Sequence, residues 1–204
     1  MPGRNLLRVD FAGAYYHVYF RGVNGKVIFK TENDYTVFMA LLKRYLSVNP
    51  AKDKNGVGYP HLFNKLELLC FCLMPNHAHL LVYQVEQGAV RKLMQSVMVS
   101  YSRYFNTSYA RRGPLFESRY RASLISNQSY LEHISRYIHL NPKHDWENYP
   151  YSSLPYFIAG WQAEWLVPDK IAGLFNSASD YMKFLQDYEG HKRMLEEIKS
   201  ELAI

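Results

Sequence analysis

Two cysteines in 204 residues leave little material for a disulfide framework. Cys70 and Cys72 lie two apart in an apolar segment, a spacing that suits two buried thiols in a reducing compartment better than a staple. No apolar run approaches the roughly 20 residues that cross a bilayer. The opening stretch, MPGRNLLRVDFAG, lacks the apolar segment of about 7–15 residues that a secretory signal requires. Together these absences predict a cytoplasmic protein with no membrane partner. The chain also has no internal repeat and no low-complexity tract.

What is present is core-forming material with a basic surplus. Hydrophobic residues make up 48% of the chain, which argues against global disorder. A formal net charge of +6 suits a polyanionic partner without identifying one. The 18 tyrosines and 11 phenylalanines can stack on unpaired bases or simply fill a core.

Read in order, the chain alternates strand and helix signals. Residues 15–21 (YYHVYFR) read as a strand ending at Gly22. Residues 31–46 read as a helix, with Thr31 as cap, Asp34 in the first turn, and Phe38, Leu41, Leu42 and Tyr45 at helical spacing. Residues 49–64 are rich in Pro, Gly, Lys and Asn and read as a loop. Strands are predicted at 65–74 and 77–84, separated by Pro75-Asn76. Residues 89–106 read as a long helix with Leu93, Val97, Tyr101 and Tyr104 on one side. A short strand at 121–125 and a helix from Ser129 to Asn141 follow, the helix stopped by Pro142. This order predicts the α+β class: a ferredoxin-like sandwich with a central antiparallel sheet, helices packed on one of its faces, and a C-terminal helical extension. The predicted division is a domain over 1–160 and an extension over 161–204, with ASDYMKFLQDYEGHKRMLEEIKSEL helical.

On a strand, His77 and His79 point to one face, while Ala78, Leu80 and Val82 take the core side. Two imidazoles side by side can hold a divalent metal if other ligands complete the shell. They can equally be two surface histidines on an edge. The predicted helix that follows places His133, Tyr137 and Asn141 at i, i+4 and i+8, as one stripe. That stripe carries an imidazole, a hydroxyl and an amide oxygen beside an apolar stripe of Ile134 and Ile138. Without further information, Tyr137 is also readable as a half-buried helix tyrosine and Asn141 as a helix-ending residue before proline.

The segment FCLMPNHAHLLV resembles the hallmark of the HUH family, a strand carrying His, a hydrophobic residue and His. YLEHISRYIHLNPKH, with the later YPYSSLPYF, resembles the second hallmark of single-tyrosine transposases of the insertion-sequence 200-like superfamily. GPLFESRYRASLI and YYHVYFRGVNG are similar to its REP-associated branch. The resemblance runs from about residue 12 to 160. It implies that Tyr137 is the nucleophile and that His77 and His79 are metal ligands. It puts Asn141 in the place of the third ligand, where relatives use the longer Gln. His133, one helical turn before Tyr137, is a candidate ligand or a candidate hydrogen-bond partner to one.

The implied activity is metal-dependent cleavage and rejoining of single-stranded DNA near hairpins, through a 5′-phosphotyrosine intermediate and a free 3′-hydroxyl. Mg²⁺ or Mn²⁺ is the implied cofactor, and imidazole ligands suit Mn²⁺ better. An ordinary tyrosine has a pKa near 10, so the phenolate costs roughly 4 kcal/mol at pH 7. A metal that polarises the scissile phosphate offsets a cost of that size. The implied partner is single-stranded or hairpin DNA, bound by a monomer or a homodimer. Arg91, Lys92, Arg103, Arg111, Arg112, Arg119 and Arg121 are the candidate phosphate contacts. Three rival readings compete: a catalytically silent hairpin-DNA-binding protein of the same fold, a zinc hydrolase, and a replication initiator or relaxase.

Overall fold

The computed structural model describes residues 10–187. Four strands, β1 (Ala14–Arg21), β2 (Leu66–Met74), β3 (His77–Gln84) and β4 (Arg121–Ile125), form one sheet in the order β2-β3-β1-β4. Every neighbouring pair is antiparallel. Helix α1 (Glu32–Leu46) joins β1 to β2, and α2 (Ala89–Ser108) joins β3 to β4. This is the expected ferredoxin-like order. Helix α3 (Gln128–His139) follows β4, then the short α4 (Pro155–Ile158), α5 (Asp169–Ala172) and α6 (Ala178–Gln186). No helix among the described residues is long and apolar enough to cross a membrane.

Local sequence explains where these elements begin. Thr31 is the N-cap of α1, and the Asp34 carboxylate in its first turn accepts from the backbone N–H of Lys30 (2.7 Å) and Thr31 (3.0 Å). The same carboxylate accepts from the Tyr104 and Tyr109 hydroxyls at 2.8 Å, tying the start of α1 to the end of α2. Gly88 precedes α2 at φ 84°, a left-handed conformation that favours glycine. The Gln84 side chain then accepts from the Val90 N–H at 2.8 Å, satisfying one open donor of the α2 N-terminus. Gly22 closes β1, where a Cβ would meet the Lys26 carbonyl.

Helices cover both faces of the sheet, not one. Tyr16, Val18 and Phe20 of β1 and Ala78, Leu80 and Val82 of β3 pack under α1 and α2 with Phe38, Leu42, Val97 and Tyr101. Tyr19 and Leu81, of the opposite parity, pack under α3 with Ile134 and Ile138. A register shift between Leu68 and Cys70 puts Cys70 and Cys72 on the α3 side while Phe71 and Leu73 take the other, and both thiols are buried and free. The second layer is α3 together with the chain beyond 140. Ile171, Tyr181 and Leu185 share the core of α3. Residues 151–153 pair along the edge of β2, through Leu73 N–H to Tyr151 (2.9 Å) and Ser153 N–H to Phe71 (2.9 Å). That pairing covers a strand edge otherwise open to association.

Two boundaries differ from expectation. Helix α3 ends at His139, and Asn141 lies beyond its C-cap, Leu140. The residue before a proline is pushed out of helical geometry, and the Asn141 N–H accordingly bonds only three residues back, to Ile138 at 3.3 Å. Of the helix expected over 178–202, α6 accounts for Ala178–Gln186, and the remainder lies outside the described residues.

Candidate active site

The β1–β3 register sets Tyr19 opposite His79 and Arg21 opposite His77, so these four side chains share the α3 face of the sheet. His17 shares that face, and its Nε2 lies 3.0 Å from His79 Nδ1. Both rings are fully buried. Helix α3 crosses above them and brings the Tyr137 ring against His79, edge to face, with centroids 5.2 Å apart. The turn after α3 carries Asn141 to the end of β3, where its Oδ1 stands 3.0 Å from His77 Nε2. The two histidines, Tyr137 and Asn141 therefore converge, although Asn141 does so from a turn and not from the helix.

The hydrogen bonds around His77 define its proton. Asn76 donates through Nδ2 to the Gly25 carbonyl at 3.1 Å, which turns its Oδ1 toward His77 Nδ1 at 2.6 Å. An amide oxygen only accepts, and Asn76, anchored by Gly25 and nearer than Asn141, assigns the His77 proton to Nδ1 and a lone pair to Nε2. That lone pair faces the Asn141 oxygen. Burial pulls the His77 pKa below its ordinary value, opposed by the Asn141 contact and reinforced by Arg21, so the second proton is disfavoured. Two acceptors this close suit a shared cation, or an Asn141 amide turned to offer its nitrogen.

His79 Nε2 is buried with no hydrogen-bond partner among the described residues. Burial first, then the neighbouring His17 and His77, drive its pKa well below the ordinary value. His79 is thus held neutral, the form in which imidazole ligates metal. Among the described residues, no cluster of three His, Cys, Asp or Glu forms a metal site. An amide oxygen is therefore the third donor at hand. The donor set of two imidazoles and one amide oxygen fits a divalent cation with open positions.

Tyr137 is buried, at 6% exposure, and burial pushes its pKa up to about 12 despite the Asn141 hydrogen bond that lowers it. Beside the histidines opens a cavity of about 150 Å³, lined by Tyr19, Arg21, His77, His79, Glu117 and Arg121 among others. Tyr137 stands next to this cavity without lining it. The Arg121 guanidinium reaches the Tyr19 hydroxyl at 3.4 Å and lies over its ring.

The other predicted residues separate. His133, one turn before Tyr137, packs on Phe184 of α6 with centroids 5.6 Å apart. Each i+4 step advances about 40° around a helix, and this carries His133 toward α6 while Tyr137 faces the sheet. Arg91, Lys92 and Arg103 are exposed on α2, across the sheet from the histidines. Arg111 braces its own turn, donating to the Asn106 side chain and the Pro114 carbonyl. Arg112 and Arg119 are exposed, and of the seven candidates only Arg121 lines the cavity. His17, Arg21, Asn76 and Glu117 were not singled out from sequence. Strand parity puts His17 and Arg21 on one face of β1, but nothing in the sequence says that β1 pairs with β3 in this register.

Residues 62–141 match the family described as Transposase IS200 like, a span that holds His77, His79, Tyr137 and Asn141 but not His17 or Arg21. No curated protein matches the chain significantly. The fold is similar to that of a REP-associated tyrosine transposase solved bound to a REP hairpin. The identity is 15%, the TM-score 0.50, and the alignment covers 79% of this chain and 89% of that one. A crystal structure of a candidate transposase from Deinococcus radiodurans aligns at 15% identity and TM-score 0.39, over 68% of this chain and 95% of that one.

Proposed function

We propose, for a chain whose residues 62–141 match the IS200-like transposase family and whose fold is that of a REP-associated transposase, a transposase that cleaves and rejoins single-stranded DNA. The observation that carries this reading is the meeting of His77 Nε2 and Asn141 Oδ1 at 3.0 Å beside His79, whose Nε2 is buried without a partner among the described residues, with the Tyr137 ring packed on His79. Tyr137 Oη attacks phosphorus. A bond from Oη to phosphorus forms, and the bond to the 3′-oxygen breaks. The phenolic proton is lost, and the departing oxygen takes one to become a 3′-hydroxyl. Rejoining reverses the exchange, a 3′-hydroxyl displacing the tyrosine. Bond types are conserved throughout, so no nucleotide cofactor is required.

His77, His79 and Asn141 would hold Mn²⁺ or Mg²⁺. When bound, such a cation polarises a phosphate oxygen and opposes the burial that keeps the phenol protonated. That second contribution matters, because a pKa of about 12 puts the phenolate roughly 7 kcal/mol out of reach at pH 7. Arg21 and Arg121 line the cavity with opposite charge for a phosphate, and Tyr19 offers a ring for a base. The substrate class is single-stranded DNA beside a hairpin, where a flexible backbone reaches in-line geometry more easily than a duplex. The solved relative bound to a REP hairpin supports that choice.

The test is incubation with single-stranded oligonucleotides carrying imperfect hairpins, with Mn²⁺, followed by a denaturing gel. A covalent protein–DNA band that needs metal and disappears in Tyr137→Phe is expected. Hairpin binding without any adduct, in folded wild-type protein, points instead to a silent DNA-binding protein. A cleavage product formed without an adduct points to a hydrolase that uses water.

A further inference from the structure

His17 has no part in the reading above, yet it is fully buried directly against one of the proposed ligands. Burying an imidazole merely to fill space costs more than burying an aliphatic side chain of similar size. Its Nε2 faces His79 Nδ1 at 3.0 Å. Of two facing ring nitrogens, one carries the proton and the other accepts it. If His17 were the donor, His79 would be left with its proton on Nε2, unable to ligate. If His79 donates from Nδ1, its Nε2, which has no partner among the described residues, keeps a lone pair, in a residue that lines the cavity together with His77. His77 already has that arrangement, fixed by Asn76.

We propose that His17 is a positioning residue that accepts the Nδ1 proton of His79, fixing the tautomer and ring orientation in which His79 Nε2 can bind metal. His17 and Asn76 then do the same work on the two histidines, one from the neighbouring strand β1 and one from the turn before β3. Both proposed ligands consequently present Nε2. Outer partners that fix ligand tautomer and orientation are typically worth 10–100-fold in metal affinity. His17 does not line the cavity, and its effect passes through His79. The inference rests on the metal reading of the site for its purpose, but the tautomer is measurable without metal.

The experiment has two arms on the full chain. In chelator, long-range ¹H–¹⁵N correlation of the histidine side chains is expected to show His79 protonated on Nδ1. A proton on His79 Nε2 in wild type overturns the proposal. In the second arm, Mn²⁺ affinity is measured by electron paramagnetic resonance titration for wild type, His17→Leu and His17→Gln. Leucine removes the acceptor, and a loss of roughly 10–100-fold is expected. Glutamine keeps an acceptor oxygen within reach and is expected to retain most of the affinity. Because leucine and glutamine both fill the buried site, a purely structural role predicts no such split between them. Equal affinity in folded His17→Leu overturns the proposal. Absence of Mn²⁺ and Mg²⁺ binding by wild type overturns the metal reading instead, and the chelator arm then still decides the tautomer.

Discussion

Along β1, Tyr16, Val18 and Phe20 enter a core of aliphatic and aromatic side chains beneath α1 and α2, whereas His17, Tyr19 and Arg21 on the same strand face α3 and the cavity. The α1/α2 side is largely apolar, and Asp34 there is satisfied by two tyrosines and two backbone donors, although Ser47 Oγ at the end of α1 has no partner among the described residues. The α3 side buries His17, His79 and Arg136, and each keeps ring or guanidinium nitrogens without a hydrogen-bond partner among the described residues. The Arg136 guanidinium lies 3.6 Å over the Phe184 ring, which offsets part of that cost. His139 is the counterexample on that side, satisfied by Tyr181 (2.7 Å) and Ser153 (2.8 Å). One face of the sheet is therefore built for stability, and the other tolerates buried polar atoms that a ligand would satisfy.

The contrast predicts effects of graded size. Phe38→Ala, in the apolar core, is expected to lose about 3–5 kcal/mol of folding stability in urea titration, without a selective effect on adduct formation by the folded fraction. Acid comes next. Burial lowers the pKa of His17 and of His139 to about 3, so the unfolded chain takes up protons that the native state refuses. Stability is then complete above about pH 6.5 and falls on acidification toward pH 3. Between pH 7 and 5, in chelator, each of these histidines is expected to remove about 2 kcal/mol. His139→Gln should flatten that slope by one histidine in pH-dependent denaturation.

His79→Leu removes a buried nitrogen that has no partner but also strands His17 Nε2, so a loss of about 1–3 kcal/mol, below that of Phe38→Ala, is expected. The same substitution should abolish the DNA adduct. A large loss of stability there would mean that both faces serve as ordinary core. The smallest effect is expected across the sheet. Replacing Arg91, Lys92 and Arg103 of α2 by alanine should leave the adduct rate on a hairpin oligonucleotide nearly unchanged, whereas Arg121→Ala, at the cavity, should reduce it at least about tenfold.

Much of this was written in local pattern. Alternation and turn residues located β3 and β4 at their observed bounds and the other elements of the ferredoxin-like core to within two residues, because strand parity, the Thr31 cap and proline geometry act over a few residues. Parity also put His77 and His79 together, opposite Ala78, Leu80 and Val82, whereas the expected helical stripe of His133, Tyr137 and Asn141 did not form, since Asn141 lies beyond α3 and His133 packs on Phe184. Tertiary structure decided the rest. The pairing of β1 with β3 brought His17, Tyr19 and Arg21 to the histidines from some sixty residues away in sequence, and a register of that kind depends on long-range packing. Packing of α3 on the sheet set Tyr137 against His79, and return of the chain after residue 140 extended the core on that face. The turn at Pro142 left Asn141 outside the helix and still at His77. Sequence chose the chemical groups, since residue type and short spacing suffice for that. Which of them meet, and which nitrogen of each histidine is free, depends on partners that only the folded chain assembles.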